Sequence, residues 1–138
     1  MATLTSIHHI NFIVNDLQKS VADYQRELGL GDFEFEELTN RGVNTARILI
    51  GSVWLVLVCP LRRDSVPGQY LQKHGEGFFL LSFGVDDLHI ALAEFEQRGM
   101  LSDSGTVRSG LANWKVADLD TLNTLGAIFH LTEEQDKE

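Results

Sequence analysis

Basic residues, cysteine and proline are scarce in this chain, and each scarcity removes a class of explanation. Lysine and arginine number 11 against 20 acidic residues, a net charge of −9. A surface of that sign repels phosphates, which argues against sequence-independent binding to nucleic acid and against an anionic membrane surface. A cationic or neutral small molecule suits it better. The single cysteine, Cys59, cannot close an intramolecular disulfide, and beside Val58 in an apolar run it reads as a buried structural thiol with no chemical role. No run approaches the roughly 18 apolar residues of a membrane-spanning helix, and residues 1–6 lack the basic start and apolar stretch of a signal peptide. A cytoplasmic location is expected. With two prolines and 43% hydrophobic residues, the 138-residue chain fits one domain with a core of ordinary size.

What the chain does contain is an internal repeat. Shifted by 71 residues, Ile10–Tyr24 lies over Leu81–Phe95 with five identities in fifteen positions: Phe12/Phe83, Val14/Val85, Asp16/Asp87, Leu17/Leu88 and Ala22/Ala93. Each copy opens with apolar residues at every second position, Ile10, Phe12 and Val14 or Leu81, Phe83 and Val85, the period of a half-buried strand. A helix follows at once. Asn15 or Asp16, and Asp86 or Asp87, can accept the free amides of a first turn, and glycine at 29 and 99 can end the helix. Leu17, Val21, Tyr24 and Leu28 mark one apolar stripe; Leu88, Ala91, Leu92 and Phe95 mark the other.

Strand-like segments complete each copy. The first has Asp32–Leu38, Thr45–Ile50 and Val53–Cys59, with Gly51-Ser52 as a tight hairpin; the second has Ser104–Arg108, Asn113–Ala117 and Ala127–Thr132. Pro60–Gly77 is the connection, with a short helical turn at Gln69–Lys73, and the charged tail from Glu133 is expected to fray. The fold class is therefore α+β. Two tandem βαβββ modules, about 6–60 and 77–133 around a linker at 61–76, form a curved, partly open mixed sheet with helices outside and a concave inner face.

The segment Ile7-His8-His9-Ile10-Asn11-Phe12-Ile13-Val14-Asn15-Asp16-Leu17 resembles the first strand and helix start of the vicinal oxygen chelate superfamily. This superfamily holds glyoxalases, bleomycin resistance proteins and dioxygenases, and the resemblance is to the glyoxalase-like branch near methylmalonyl-CoA epimerase. Gly75-Glu76-Gly77-Phe78 leading into Val85-Asp86-Asp87-Leu88 is similar to the start of its second module, and Asp120–Gly126 to an element preceding its last strand. The resemblance runs from residue 7 to about 132. It implies a concave pocket for a small-molecule ligand, a homodimer, and four inward residues around a divalent metal such as nickel, zinc, cobalt or manganese, which polarises the substrate. The four positions fall on His9, Val56, Leu80 and His130. Valine and leucine donate nothing to a metal, so two candidate ligands of four remain, and the residues favour no resident metal.

The same resemblance lines the pocket with Asn11, Trp54 and Ser82, with Trp114 nearby and Arg47 available for an anionic group. Trp54 and Trp114 can stack on a flat ligand, and His9 and His130 can act as a metal-free acid–base pair. His8, His74 and His89 are set aside as lying on the opposite face, in the linker and on a helix; Glu34, Glu36 and Glu37 read as a solvated edge. Three functions stay open: a lyase or isomerase acting on a small carbonyl, acyl or aromatic compound through a degenerate metal site, a metal-independent enzyme using His9 or His130, and a drug-sequestering protein of the bleomycin-resistance type.

Overall fold

A computed structural model of the chain describes residues 3–100, 107–121 and 125–134. In chain order the elements are β1 (Ser6–Ile13), α1 (Leu17–Leu28), β2 (Glu34–Leu38), β3 (Val43–Ile50), β4 (Val53–Pro60), α2 (Val66–His74), β5 (Gly77–Gly84), α3 (Leu88–Gln97), β6 (Arg108–Ser109), β7 (Trp114–Asp118) and β8 (Phe129–Glu134). This is an α+β fold in which the order βαβββ occurs twice, with α2 in the connection. Contacts divide the chain into two compact units: one takes the chain up to His9 and from Leu80 onward, the other is Ile10–Phe79.

In the Ile10–Phe79 unit the strand order is β2-β3-β4-β1, with β2, β3 and β4 an antiparallel meander. Gly51 closes the β3–β4 hairpin at a φ of 62°, a conformation that side chains resist. α1 starts where the sequence places it. The Asp16 carboxylate accepts the Lys19 amide at 3.1 Å, and Gly29 ends the helix in the left-handed region. Its stripe buries Leu17 and Val21 against Val14, Phe33, Ala46 and Leu57, with Phe12 and Tyr24 alongside. Leu57 is fully buried, and an aliphatic side chain so placed contributes about 1.5–3 kcal/mol. The short turn expected at Gln69–Lys73 is a nine-residue helix, α2. It reaches back to Val66 because Ser65 caps it, accepting the Gly68 amide at 3.0 Å, and because Pro67 fits a first turn.

In the other unit the strand order is β1-β5-β8-β7-β6, with β5 and β8 parallel and β8, β7 and β6 antiparallel. α3 is capped by Asp87, which accepts the Ile90 amide, and its Leu88, Ala91 and Leu92 pack on Val85, Ala117, Leu119 and Leu131. Two expectations shift here. The strand at Ser104–Arg108 is β6 at Arg108–Ser109, residues 104–106 lying outside the described residues. The tail expected to fray at Glu133 continues β8 to Glu134, because Glu133 Oε1 accepts the Leu88 amide at 2.7 Å, tying the strand end to the start of α3. Residues 135–138, and 122–124 of the Asp120–Gly126 element, lie outside the described residues. Among the described residues, no helix is long and apolar enough to cross a membrane.

Candidate functional site

The unit made by the chain up to His9 and from Leu80 onward gathers four of the predicted site residues, His9, Ser82, Trp114 and His130. His9 is 4% exposed on β1, and its ring lies flat against Trp114 of β7, with centroids 4.8 Å apart and planes 17° from parallel. His130 is buried on β8, directly across from Ser82 of β5. Burial first, then the neighbouring His8 and His130, hold the His9 pKa well below the ordinary imidazole value of 6.5. His9 and His130 therefore act on each other electrostatically, which spacing in the sequence did not show.

Each imidazole has a carboxylate behind it. His130 Nε2 lies 2.7 Å from Asp118 Oδ1, and Asp118 is also held by Arg108 through two bonds of 2.9 and 3.1 Å. Burial alone raises the Asp118 carboxyl pKa; the hydrogen bond and charge of His130, and then of Arg108, overcome it and leave the group well below the usual carboxylate range. Asp118 is thus a fixed negative charge. His9 reaches a carboxylate through an intermediary: its Nδ1 lies 2.9 Å from His8 Nδ1, and His8 Nε2 lies 2.7 Å from Glu134 Oε1.

His8 corrects the sequence reading, which set it on the opposite face. Alternation along a strand fixes where Cβ points. It does not fix where a ring nitrogen two bonds further out ends up. His8 is buried, its ring edge-on to both His9 and Trp114. Asp118 and Glu134 were also missed; carboxylates near strand ends carry no local signal that they face an imidazole. Ser82 is fully buried and shares a 2.6 Å hydrogen bond with Thr132, so its hydroxyl is already engaged.

The Ile10–Phe79 unit holds the other predicted residues. Arg47 is buried on β3, ion-paired to Glu36 at 2.8 Å, with Glu34 at 3.8 Å and the Trp54 ring 5.6 Å from the guanidinium carbon. Glu36 therefore belongs to a partly buried ion pair rather than to a solvated edge. Val56, where the resemblance would put a second metal ligand, is directly opposite Arg47 and fully buried. Asn11 Oδ1 is buried without a hydrogen-bond partner among the described residues. Cys59 is half-buried rather than buried. Its thiol, raised in pKa chiefly by that burial, donates to the Asn15 carbonyl at 3.5 Å.

The donor set does not fit a four-ligand metal. Val56 and Leu80 are buried and have no donor atoms, His9 Nδ1 is engaged by His8, and His130 Nε2 by Asp118. Among the described residues, no group of three or more histidine, cysteine or acidic side chains is placed to hold an ion.

Known proteins share this arrangement of elements. The human mitochondrial methylmalonyl-CoA epimerase is 28% identical over 131 residues, 94% of this chain and 74% of its own length. A solved methylmalonyl-CoA epimerase in complex with methylmalonyl-CoA and ammonium superposes with a TM-score of 0.90 at 28% identity, covering 98% of both chains. A variant of the Streptomyces coelicolor epimerase, in complex with 2-nitronate-propionyl-CoA, gives the same TM-score, identity and coverage. The sequence pattern of one superfamily matches residues 8–117, most of the chain, and the repeat and His9 fall within that span. This chain belongs to the Glyoxalase/Bleomycin resistance protein/Dioxygenase superfamily.

Proposed function

We propose that this protein is an isomerase of the epimerase type that binds a short acyl thioester of coenzyme A and moves its α-proton with His9 and His130. The observation that carries the reading is the pair of buried imidazoles with opposite surroundings. His9 is kept neutral by burial and by two neighbouring imidazoles. His130 faces the ionised Asp118, which stabilises a positive charge on it. Two titratable groups with divergent environments give a base and an acid at the same pH.

In the proposed step His9 takes the proton from the carbon next to the thioester carbonyl. The C–H electron pair becomes an enolate, and His130 returns a proton to that carbon from the other side. The product has the same atoms and the opposite configuration. The likeness to epimerases, among them one solved with methylmalonyl-CoA, supports the thioester class. The missing donors at Val56 and Leu80 support proton transfer by imidazoles without a metal to polarise the carbonyl.

The test is proton exchange in heavy water, followed by NMR at the α-carbon of methylmalonyl-CoA and propionyl-CoA. The reading expects exchange with wild-type protein and a loss of about 10²–10⁴-fold in His9→Gln and in His130→Gln, the usual worth of a general acid or base. Binding of these thioesters without exchange would make the protein a sequestering member of the superfamily; neither binding nor exchange would remove the thioester class.

A further inference from the structure

We propose that Glu134 and His8 are positioning residues that lock His9 in one neutral tautomer, with hydrogen on Nδ1 and a bare Nε2 that takes the substrate proton. The inference rests on the proton-transfer reading above and adds which atom of His9 acts and what selects it.

The assignment follows from donors and acceptors along one chain of contacts. A carboxylate only accepts, so Glu134 Oε1, 2.7 Å from His8 Nε2, requires a hydrogen on that nitrogen. With His8 neutral, its one hydrogen is on Nε2, and its Nδ1 is bare and accepts. Its partner at 2.9 Å is His9 Nδ1, which must donate. Neutral His9 has spent its single hydrogen, and its Nε2 is left with a lone pair. Without the chain, the two tautomers of a neutral imidazole compete, and the one with hydrogen on Nε2 cannot accept a proton there.

Packing keeps the two rings from leaving this register. Trp114, 3% exposed, stacks on His9 and meets His8 edge-on at 4.6 Å, so neither ring turns without displacing the indole. Glu134 is presented at the end of β8, where Trp114 is its register partner on β7. Second partners of this kind, behind a working imidazole, are generally worth about 10–100-fold in activity.

The experiment reads the tautomer directly, by long-range ¹H–¹⁵N NMR of the full-length protein labelled at histidine, in wild type, Glu134→Ala and His8→Phe. Wild type is expected to show the protonated-nitrogen shift at His9 Nδ1 and the bare-nitrogen shift at Nε2. His8→Phe removes the acceptor and is expected to move the hydrogen to Nε2; Glu134→Ala, at a half-exposed position that leaves the core intact, is expected to give a mixture. In α-proton exchange, Glu134→Ala should lower kcat about 10–100-fold with little change in KM. Hydrogen on Nε2 of His9 in wild type, or an unchanged His9 pattern in Glu134→Ala, would overturn the inference. The expected tautomers in a protein that exchanges no thioester proton would leave the positioning intact and remove the proposed reaction instead.

Discussion

A buried imidazole that stays neutral carries a cost that pH exposes. In the unfolded chain His9 takes up a proton near 6.5; in the folded chain burial, His8 and His130 resist it. Below about 6.5 the unfolded state therefore binds more protons, and stability falls as the pH drops toward the folded value, by up to about 1.4 kcal/mol per pH unit. Above about 6.5 this residue adds no slope. Urea midpoints measured from pH 7.5 to 5 should decline in wild type and decline less in His9→Asn. Equal slopes would place the pH dependence elsewhere. Asp118 acts in a separate, lower window: its depressed pKa gives stability that is present above about 4 and lost as the pH falls further. Not all of this was legible in the sequence. His9 and His130 were named as candidates there, both by the resemblance and His9 also by a two-residue period. His8, Asp118 and Glu134 were not, since their roles depend on ring direction and on strand register between residues up to 126 positions apart.

At the scale of elements, the helices followed from local chemistry and their lengths followed less well. Of the alternatives the sequence left open, Asn15 or Asp16 and Asp86 or Asp87, it is Asp16 and Asp87 that cap α1 and α3. α2 outran its expected turn because Ser65 and Pro67 act together. The helix is also pressed close to the chain that leads into it. A Cβ on Gly68 would sit 2.1 Å from the Arg62 carbonyl oxygen and 2.8 Å from that of Arg63. Both atoms are backbone and cannot swing away. Gly68→Ala, which helix propensity alone would favour, is expected to destabilise the protein by about 1–3 kcal/mol, the usual cost of overpacking. Denaturant midpoints decide it: a neutral or raised midpoint would mean that α2 shifts freely on its approach. β8 shows the reverse failure. Its last residues looked like a frayed acidic tail, yet Glu133 and Glu134 hold a helix start and an imidazole. Charge pattern alone does not separate a solvated end from a working one.

For the molecule as a whole, family membership and chemistry separate. The duplicated βαβββ frame is that of the superfamily, and by the resemblance two of its metal-ligand positions would fall on His9 and His130. Val56 and Leu80 remove the other two, and the remaining imidazoles are tied to carboxylate-backed partners instead. A fold carries positions from one member to the next, not the reaction done at them. The central claim of the proposed function is that two imidazoles move the α-proton without a resident metal polarising the carbonyl. It is tested most directly by measuring metal content and α-proton exchange of a coenzyme A thioester on the same samples, from chelator-stripped protein to protein incubated with nickel, zinc, cobalt or manganese. The account predicts an exchange rate that does not follow metal content and is as high in stripped protein as in loaded protein. A rate that rises in proportion to bound metal and vanishes on stripping would contradict it.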